Sequence, residues 1–399
     1  MPISRLFRAA ALATAVLGAG PALSADNYKI GYLVDSSGPA QGIFNPTLEG
    51  FKLYIDKVNA EGGVHGRQIE ILSRDVQIDP QRSVLAAQEL IAEGAISLAG
   101  LTLTSTHMPV YTAVSRQNVP IVAGFPANVG AILPPKASKG FYGVGLAFEI
   151  TGEVGGQLAK TAVPDGKKFL CAVFESPGGF VACESAMAGA LAAGFESAEM
   201  VTFPVAQRDF RAIGERIAQM KPDVVVTIIG RGRTKSFVPA LAQAGYEGAL
   251  LSMECGTGDD ELIEVAEAAP KIDVFSYSRY VGKDQGSGEQ YDALVKAAEA
   301  AGINPLAFHS GGWVLAMVLT DALERCGPDC TPEKLDGALE QTSLDTGGLT
   351  GAPVKFTSTD HYGPTASILL HYNRETKKLD RIGDWLQSDS TPKHYSMKR

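Results

Sequence analysis

From Asn27 onward, short runs rich in β-branched and aromatic residues alternate with longer stretches of helical periodicity, and this alternation narrows the fold more than any other feature. Strand and helix in repeated succession fold as a parallel sheet with helices on both faces, because parallel neighbours need a long crossover, usually a helix. YKIGYLV (28–34) is the first predicted strand. The helix after it takes Asn45 as cap and Pro46 in its first turn, carries Leu48, Phe51, Ile55 and Val58 on one face, and ends at Gly62-Gly63. The unit repeats as strand QIEIL (68–72), a helix after Asp79-Pro80, strand ISLAG (96–100), a helix after GLTLTSTHMP (100–109), and strand VPIVA (119–123). That is one doubly wound half.

A second series begins with a helix near Glu149 and strand FLCAVF (169–174), then helix 181–193, strand AEMVTF (198–203) and helix 210–220. Strand DVVVTII (223–229), helix 234–244, strand ALLSM (249–253) and a helix over Asp259–Ala268 continue it. Two long helical patterns, 287–301 and 306–325, precede a Gly-rich turn region, GGLTGAP (347–353), and β-like runs such as SILLHYN (367–373). A polar tail follows Trp385. At 399 residues, 45% of them hydrophobic, the chain is long enough for two domains with full cores. No tandem repeat or low-complexity linker divides it, so two α/β lobes joined by several crossings are expected.

The first 25 residues read differently. Arg5 and Arg8 precede the apolar run Ala9–Gly20 and the small-residue end Pro21–Ala25, the pattern of a secretory signal cut after Ala25 or Ser24. The run falls short of the roughly 20 residues that span a bilayer. Nothing later in the sequence approaches that length, so a soluble, exported chain is expected. Losing the two arginines takes the formal charge from −9 to −11, which disfavours nucleic acid and anionic lipid as partners. Five cysteines suit an oxidising compartment but make no disulfide scaffold in a chain this long. Cys326 and Cys330, around a Gly-Pro turn, are the first expected pair; Cys171 and Cys183 are the second, leaving Cys255 over.

GLTLTSTHMP concentrates hydroxyls at the carboxyl end of a predicted strand, where open parallel sheets bind ligands against helix N-termini. Thr104, Ser105 or Thr106 would cap the following helix; a cluster exceeds what one cap needs. A catalytic reading fails. Ser105 and His107 stand two apart with no orienting third group and no G-x-S-x-G elbow. The six histidines show no H-x-x-x-H spacing and the cysteines no paired C-x-x-C, so neither metal nor cofactor is expected. GRGRTK after strand 223–229 has Lys235 where a dinucleotide fingerprint needs glycine. Asp259 and Asp260 read as helix-start charges.

Several segments together resemble one family. IGYLVDSSGPAQG, VNAEGGVHGRQIEI, DPQRSVLAAQELI, the hydroxyl cluster, VPIVAGFPA, the DF of QRDFRAI and DTGGLTGAPVKF occur in the order and spacing of the branched-chain amino-acid-binding proteins, the periplasmic substrate-binding components of ABC importers. The resemblance covers nearly all of the chain after the leader. It implies two lobes joined by three hinge crossings near 146, 277 and 355, with ligand enclosed on closure. The lobes would be 26–146 with 278–355, and 147–277 with 356–390, leaving a loose tail at 391–399.

On the same resemblance, Thr104 aligns with the hydroxyl that holds the ligand's carboxylate, with Leu103 and Ser105 beside it. Phe125, Pro126 and Ala127 align with a second carboxylate contact, where Ala127 replaces a threonine and leaves backbone donation only. Glu254 aligns with the acidic residue that receives the ligand's ammonium. Gly230 stands where the family commonly has tyrosine, and Ile43 where it has an aromatic residue. The glycine enlarges the cleft, and Arg231 or Arg233 after it could pair bidentately with a carboxylate. Phe180 could supply the missing aromatic contact. The family's first-lobe disulfide positions are Ile78 and Leu103 here, so that bridge is expected to be absent.

The expectation is a monomeric periplasmic binding protein that captures a small carboxylate-bearing solute, an amino acid first, and delivers it to a permease driven by ATPase subunits. An aromatic or dicarboxylic acid, or a small amide such as urea, is the alternative ligand. A ligand-sensing receptor module and a secreted hydrolase are the rivals from other classes.

Overall fold

The computed structural model describes residues 26–125, 132, 137–145, 147–230, 232–253 and 258–387. The leader, Cys255 and the tail after Gln387 lie outside them. The chain begins with β1 (Tyr28–Val34), α1 (Gln41–Ala60), β2 (Ile69–Asp75), α2 (Pro80–Ala92), β3 (Ser97–Gly100), α3 (Thr104–Val114), β4 (Ile121–Ala123) and β5 (Phe141–Val144). It continues with α4 (Phe148–Ala162), β6 (Lys168–Phe174), α5 (Pro177–Ala192), β7 (Ser197–Phe203), α6 (Arg211–Met220), β8 (Val224–Ile228), α7 (Thr234–Gln243), β9 (Ala249–Ser252), α8 (Asp259–Ala268) and β10 (Asp273–Ser278). The last part holds α9 (Glu289–Ala300), α10 (Ala307–Cys326) and α11 (Pro332–Leu339). The strands β11 (Ser343–Leu344), β12 (Val354–Lys355), β13 (Tyr362–Gly363), β14 (Ala366–Asn373) and β15 (Lys378–Gln387) complete it.

These strands form two main sheets. The first has six strands in the order β13-β5-β4-β3-β1-β2, all parallel. The second has seven in the order β15-β14-β10-β9-β8-β6-β7, where β14 and β15 are antiparallel and the rest parallel. The inner strands, such as VVVTI of β8, carry no alternation of polar and apolar residues because both faces are covered. The middle of α10, residues 312–320, is buried on every side, with Trp313, Val314, Leu315 and Val318 at 0% exposure, while its last turn, with Glu324 and Arg325, meets water. It crosses α1 at a glycine from each helix. A Cβ on Gly312 would collide with the Thr47 carbonyl, and one on Gly50 with the His309 carbonyl.

Both expected cysteine pairs are bridged, with Cα–Cα distances of 5.6 Å for Cys171–Cys183 and 5.3 Å for Cys326–Cys330. Among the described residues no helix is long and apolar enough to cross a membrane.

Three expectations need correction. α1 starts at Gln41, which puts Pro46 inside the helix and leaves Asn45 no capping role; its amide donates instead to the Ser36 carbonyl at 3.2 Å. The turn before α1 is fixed by buried Asp35, whose carboxylate accepts from the Gly38 and Ala40 N–H groups at 2.7 and 2.8 Å. The last passage between sheets lies beyond 355. Residues up to Gly363 stay with the first sheet, because β13 pairs with β5 and Gly143 N–H donates to the His361 carbonyl. It therefore runs over Pro364–Thr365. Finally, Ser105 and Thr106 do not cap α3. Its N-cap is Leu103, and the Thr106 hydroxyl donates back to the Leu103 carbonyl at 2.8 Å.

Candidate ligand-binding site

In each sheet the strand order reverses once within the parallel part. The chain runs from β1 outward to β2 and returns past β1 to β3; in the second sheet it runs from β6 to β7 and returns past β6 to β8. Loops leaving neighbouring strands in opposite directions open a crevice at the carboxyl edge, which is where doubly wound sheets hold ligands. The first crevice lies between the loops after β1 and β3. Ile43 is in the first turn of α1 on one side; Leu103, Thr104 and Ser105 are on the other. The second lies between the loops after β6 and β8, with Phe180 in α5 on one side and Gly230, Gly232 and Arg233 on the other. Phe125 follows β4, the next strand of the first sheet.

Of the remaining sequence-derived candidates, Pro126, Ala127, Arg231 and Glu254 lie outside the described residues, as does the side chain of Thr104.

The β3–α3 turn is tightly determined. Gly100 and Leu101 both adopt positive φ, at 80° and 56°, and turn the chain sharply out of the strand. Leu103 is extended (φ −86°, ψ 167°) and α3 begins at Thr104. Among the described residues no side chain caps this helix; the Thr106 N–H donates to the Leu103 carbonyl at 2.9 Å, which leaves the N–H groups of Thr104 and Ser105 at the positive end of the helix dipole. α2 and α5 have caps, Asp79 accepting from Arg82 N–H at 2.8 Å and Ser176 from Gly179 N–H at 3.1 Å, whereas among the described residues α1, α4 and α6 to α9 begin without one, as α3 does. Ser105 is exposed, with its backbone in that first turn.

Two expected contacts are core residues. Ile43 and Phe125 are each 9% exposed, and Phe125 meets Phe44 edge-on at 5.3 Å. Either can reach a ligand only by its edge.

His107 is fully buried. Its Nε2 lies 3.1 Å from the Thr102 carbonyl, an acceptor only, so Nε2 carries the proton. Burial pulls its pKa down to about 4. The ring is thus a neutral structural group, and exposed Ser105 is not among its partners. Among the described residues there is no group of three or more side chains able to hold a metal.

In the second crevice, Gly230 and Gly232 both have positive φ, 76° and 87°, and a Cβ built on either would meet nothing within 4 Å. A side chain at either position would enter open space. Gly232 N–H donates to both carboxylate oxygens of buried Glu261, at 2.9 and 2.8 Å, which anchors the β8–α7 loop to α8. Glu261 was not singled out in sequence, where neighbouring Asp259 and Asp260 drew attention; Asp259 accepts from Gln285 at 2.7 Å. Arg233 packs its guanidinium on the ring of Phe174, 4.5 Å from the centroid. Phe180 is 38% exposed and available to a ligand.

Sequence reasoning missed Arg279 altogether. It is 1% exposed and lies where the chain leaves β10. Its guanidinium donates to the carbonyls of Gly145, after β5, and Pro364, after β13, the latter at 3.4 Å, and to the Thr151 hydroxyl in α4. One side chain thus touches all three passages between the sheets. An arginine in RYVGKD has no pattern that could have announced this.

The chain is similar to several known proteins. The family model described as periplasmic binding protein matches residues 27–377. The Leu/Ile/Val-binding protein homolog 6 of Brucella abortus (strain 2308) is 32% identical over 235 residues, which are 57% of this chain and 58% of that relative. The chain therefore matches little more than half of that protein's length. A branched-chain amino acid ABC transporter protein from Thermus thermophilus with bound valine aligns with TM-score 0.78 at 14% identity, covering 91% of this chain and 97% of that one. A solute-binding protein of an ABC transporter from R. palustris in complex with benzoate aligns with TM-score 0.74 at 20% identity, covering 92% and 99%. At such identities these structures share the fold. Because the family match runs from the residue before β1 to the residue before β15, on that same fold, the chain belongs to the periplasmic binding protein family.

Proposed function

We propose that this chain is the periplasmic solute-binding component of an ABC importer. It captures a small carboxylate-bearing solute, an amino acid foremost, between two closing lobes, hands it to a membrane permease with its ATPase subunits, and performs no chemistry on it. The observation that carries this reading is the uncapped N-terminus of α3 at the β1/β3 crevice. Unpaired N–H groups and a positive dipole end favour a carboxylate there. Thr104, Ser105 and Leu103 would contribute hydroxyl and backbone donors, and Pro126 and Ala127 the backbone after β4. Glu254 would take the ammonium of an amino acid, and Arg231 and Phe180 would border the space left by Gly230.

A benzoate-like acid is the second reading. The space around Gly230 would admit a ring, and valine and benzoate, the ligands named for the two structural relatives, share only the carboxylate. A thermal-shift screen of the purified protein without its leader, against amino acids, aromatic acids and amides, tests both readings. A ligand at 100 times its Kd stabilises by roughly 2.7 kcal/mol. Shifts confined to carboxylates support the capture role, and shifts confined to amides would remove the carboxylate from it.

A further inference from the structure

We propose that Arg233 forms a second anion-binding point at the β6/β8 crevice, so that the captured solute carries two carboxylates. The inference rests on the capture reading above and narrows it. One carboxylate meets the α3 end in the first lobe. The other meets the Arg233 guanidinium in the second.

Arg233 immediately precedes α7, on the loop leaving β8, while Phe174 is the last residue of β6. A guanidinium 4.5 Å from the Phe174 centroid therefore reaches across the carboxyl edge from one strand to the other. Phe174 is held in turn by Phe203, edge-on at 5.0 Å. Stacking fixes the plane of the guanidinium and leaves its edge N–H donors to pair with a carboxylate as a fork.

The carboxylates in neighbouring segments are engaged elsewhere. Asp209 is bound by its neighbour Arg211, with an Nε–Oδ1 distance of 3.0 Å. Glu175 accepts from the Thr202 hydroxyl at 3.3 Å, Glu264 pairs with Lys235 at 2.5 Å, and Glu261 is taken by Gly232 N–H. Arg208 reaches only the Gln207 carbonyl, at 3.4 Å. Among the described residues, no ion pair engages Arg208 or Arg233. Burial, and then the positive charge of Arg208, lower the Arg233 pKa, and no carboxylate acts against them. A half-buried guanidinium with no carboxylate partner keeps its edge donors for an anion that enters the crevice.

The test measures affinities of the purified protein, freed of bound solute, by calorimetry with two matched pairs: glutarate against butyrate, and glutamate against glutamine. The expected result is that the doubly acidic member of at least one pair binds about tenfold tighter or more, and that Arg233→Gln removes most of this gap while leaving butyrate or glutamine affinity within about threefold. Arg233→Lys, which keeps the charge but loses the fork, should fall between. Unchanged thermal unfolding of the unliganded variants establishes that they fold. Equal binding within both pairs, or a gap that survives Arg233→Gln, would overturn the second anion point while leaving capture intact. If neither these acids nor any monocarboxylate binds, the capture reading fails with it.

Discussion

The guanidinium of Arg279 donates to the carbonyl oxygen of Gly145, tying the chain where it leaves β10 to the chain where it leaves β5. The same group reaches Pro364, on the third passage, and Thr151 in α4. Removing it strands buried acceptors at the one place where all three passages meet. Arg279→Met, similar in volume but without donors, should cost about 3–5 kcal/mol, read as a lowered urea midpoint. Arg279→Lys should recover part of the loss, because one ammonium cannot reach all three acceptors at once. A midpoint unchanged in Arg279→Met would show that these bonds add nothing to the brace.

Acid should weaken the fold through His107. Burial depresses its pKa from 6.5 to about 4 in the folded chain, while the unfolded chain keeps the ordinary value. Between those pH values the unfolded state binds the extra proton, so stability is full above about 6.5 and falls as pH drops toward 4. A shift of this size corresponds to about 3 kcal/mol at its full extent. Burial lowers the pKa of His309 as well, despite its contact with Glu49, so the wild-type profile sums both groups. His107→Gln keeps a donor for Thr102 without the titration. Denaturation curves at pH 7.5 and 4.5 should show a smaller acid loss in this variant, and identical losses would mean that His107 titrates normally.

The two doubly wound halves were legible because inner strands and amphipathic helices leave strong periodic patterns, and the disulfides because one pair flanks a Gly-Pro turn and the other sits on a strand and the helix after it. β5, β10 and α11 were not expected. FYGV and DVFSYS are short and interrupted by Gly or Ser, and PEKLDGAL is a two-turn helix. The start of α1 was misplaced because Asn45-Pro46 imitates a helix start, while the true stop is Asp35, which acts through the backbone of a loop. At the site, the position of the hydroxyl cluster was readable from strand and helix periodicity, but its uncapped helix end was not, since three hydroxyls in sequence suggest a cap. The roles of Glu261 and Arg279 are set by contacts between segments distant in the chain, which no local pattern encodes.

The two disulfides should contribute unequally. Cys171–Cys183 closes a separation of 12 residues and joins β6 to α5; Cys326–Cys330 closes 4. On the chain-entropy account these constrain the unfolded state by roughly 3 and 2 kcal/mol. Cys171→Ala with Cys183→Ala should therefore lower the urea midpoint more than Cys326→Ala with Cys330→Ala. The buried 171–183 pair adds a packing loss that the second pair, at a helix end, does not. Equal midpoints would indicate that neither loop length nor burial governs the effect.

The α3 end permits a substitution that separates folding from binding. Thr104 is the first helical residue, and Leu103 before it is already extended, at φ −86° and ψ 167°. Proline is accepted at this position, and it demands just such a preceding residue. Thr104→Pro should thus leave stability within about 1 kcal/mol while removing both the first N–H and the hydroxyl. If a carboxylate is held there, the loss of a charge-assisted hydrogen bond, about 1.5–3 kcal/mol, lowers affinity roughly ten- to a hundredfold. Thr104→Ala, which keeps the N–H, apportions the loss between hydroxyl and backbone. Affinity unchanged in Thr104→Pro, measured by calorimetry with whichever carboxylate the thermal screen identifies, would move the carboxylate site away from the α3 end.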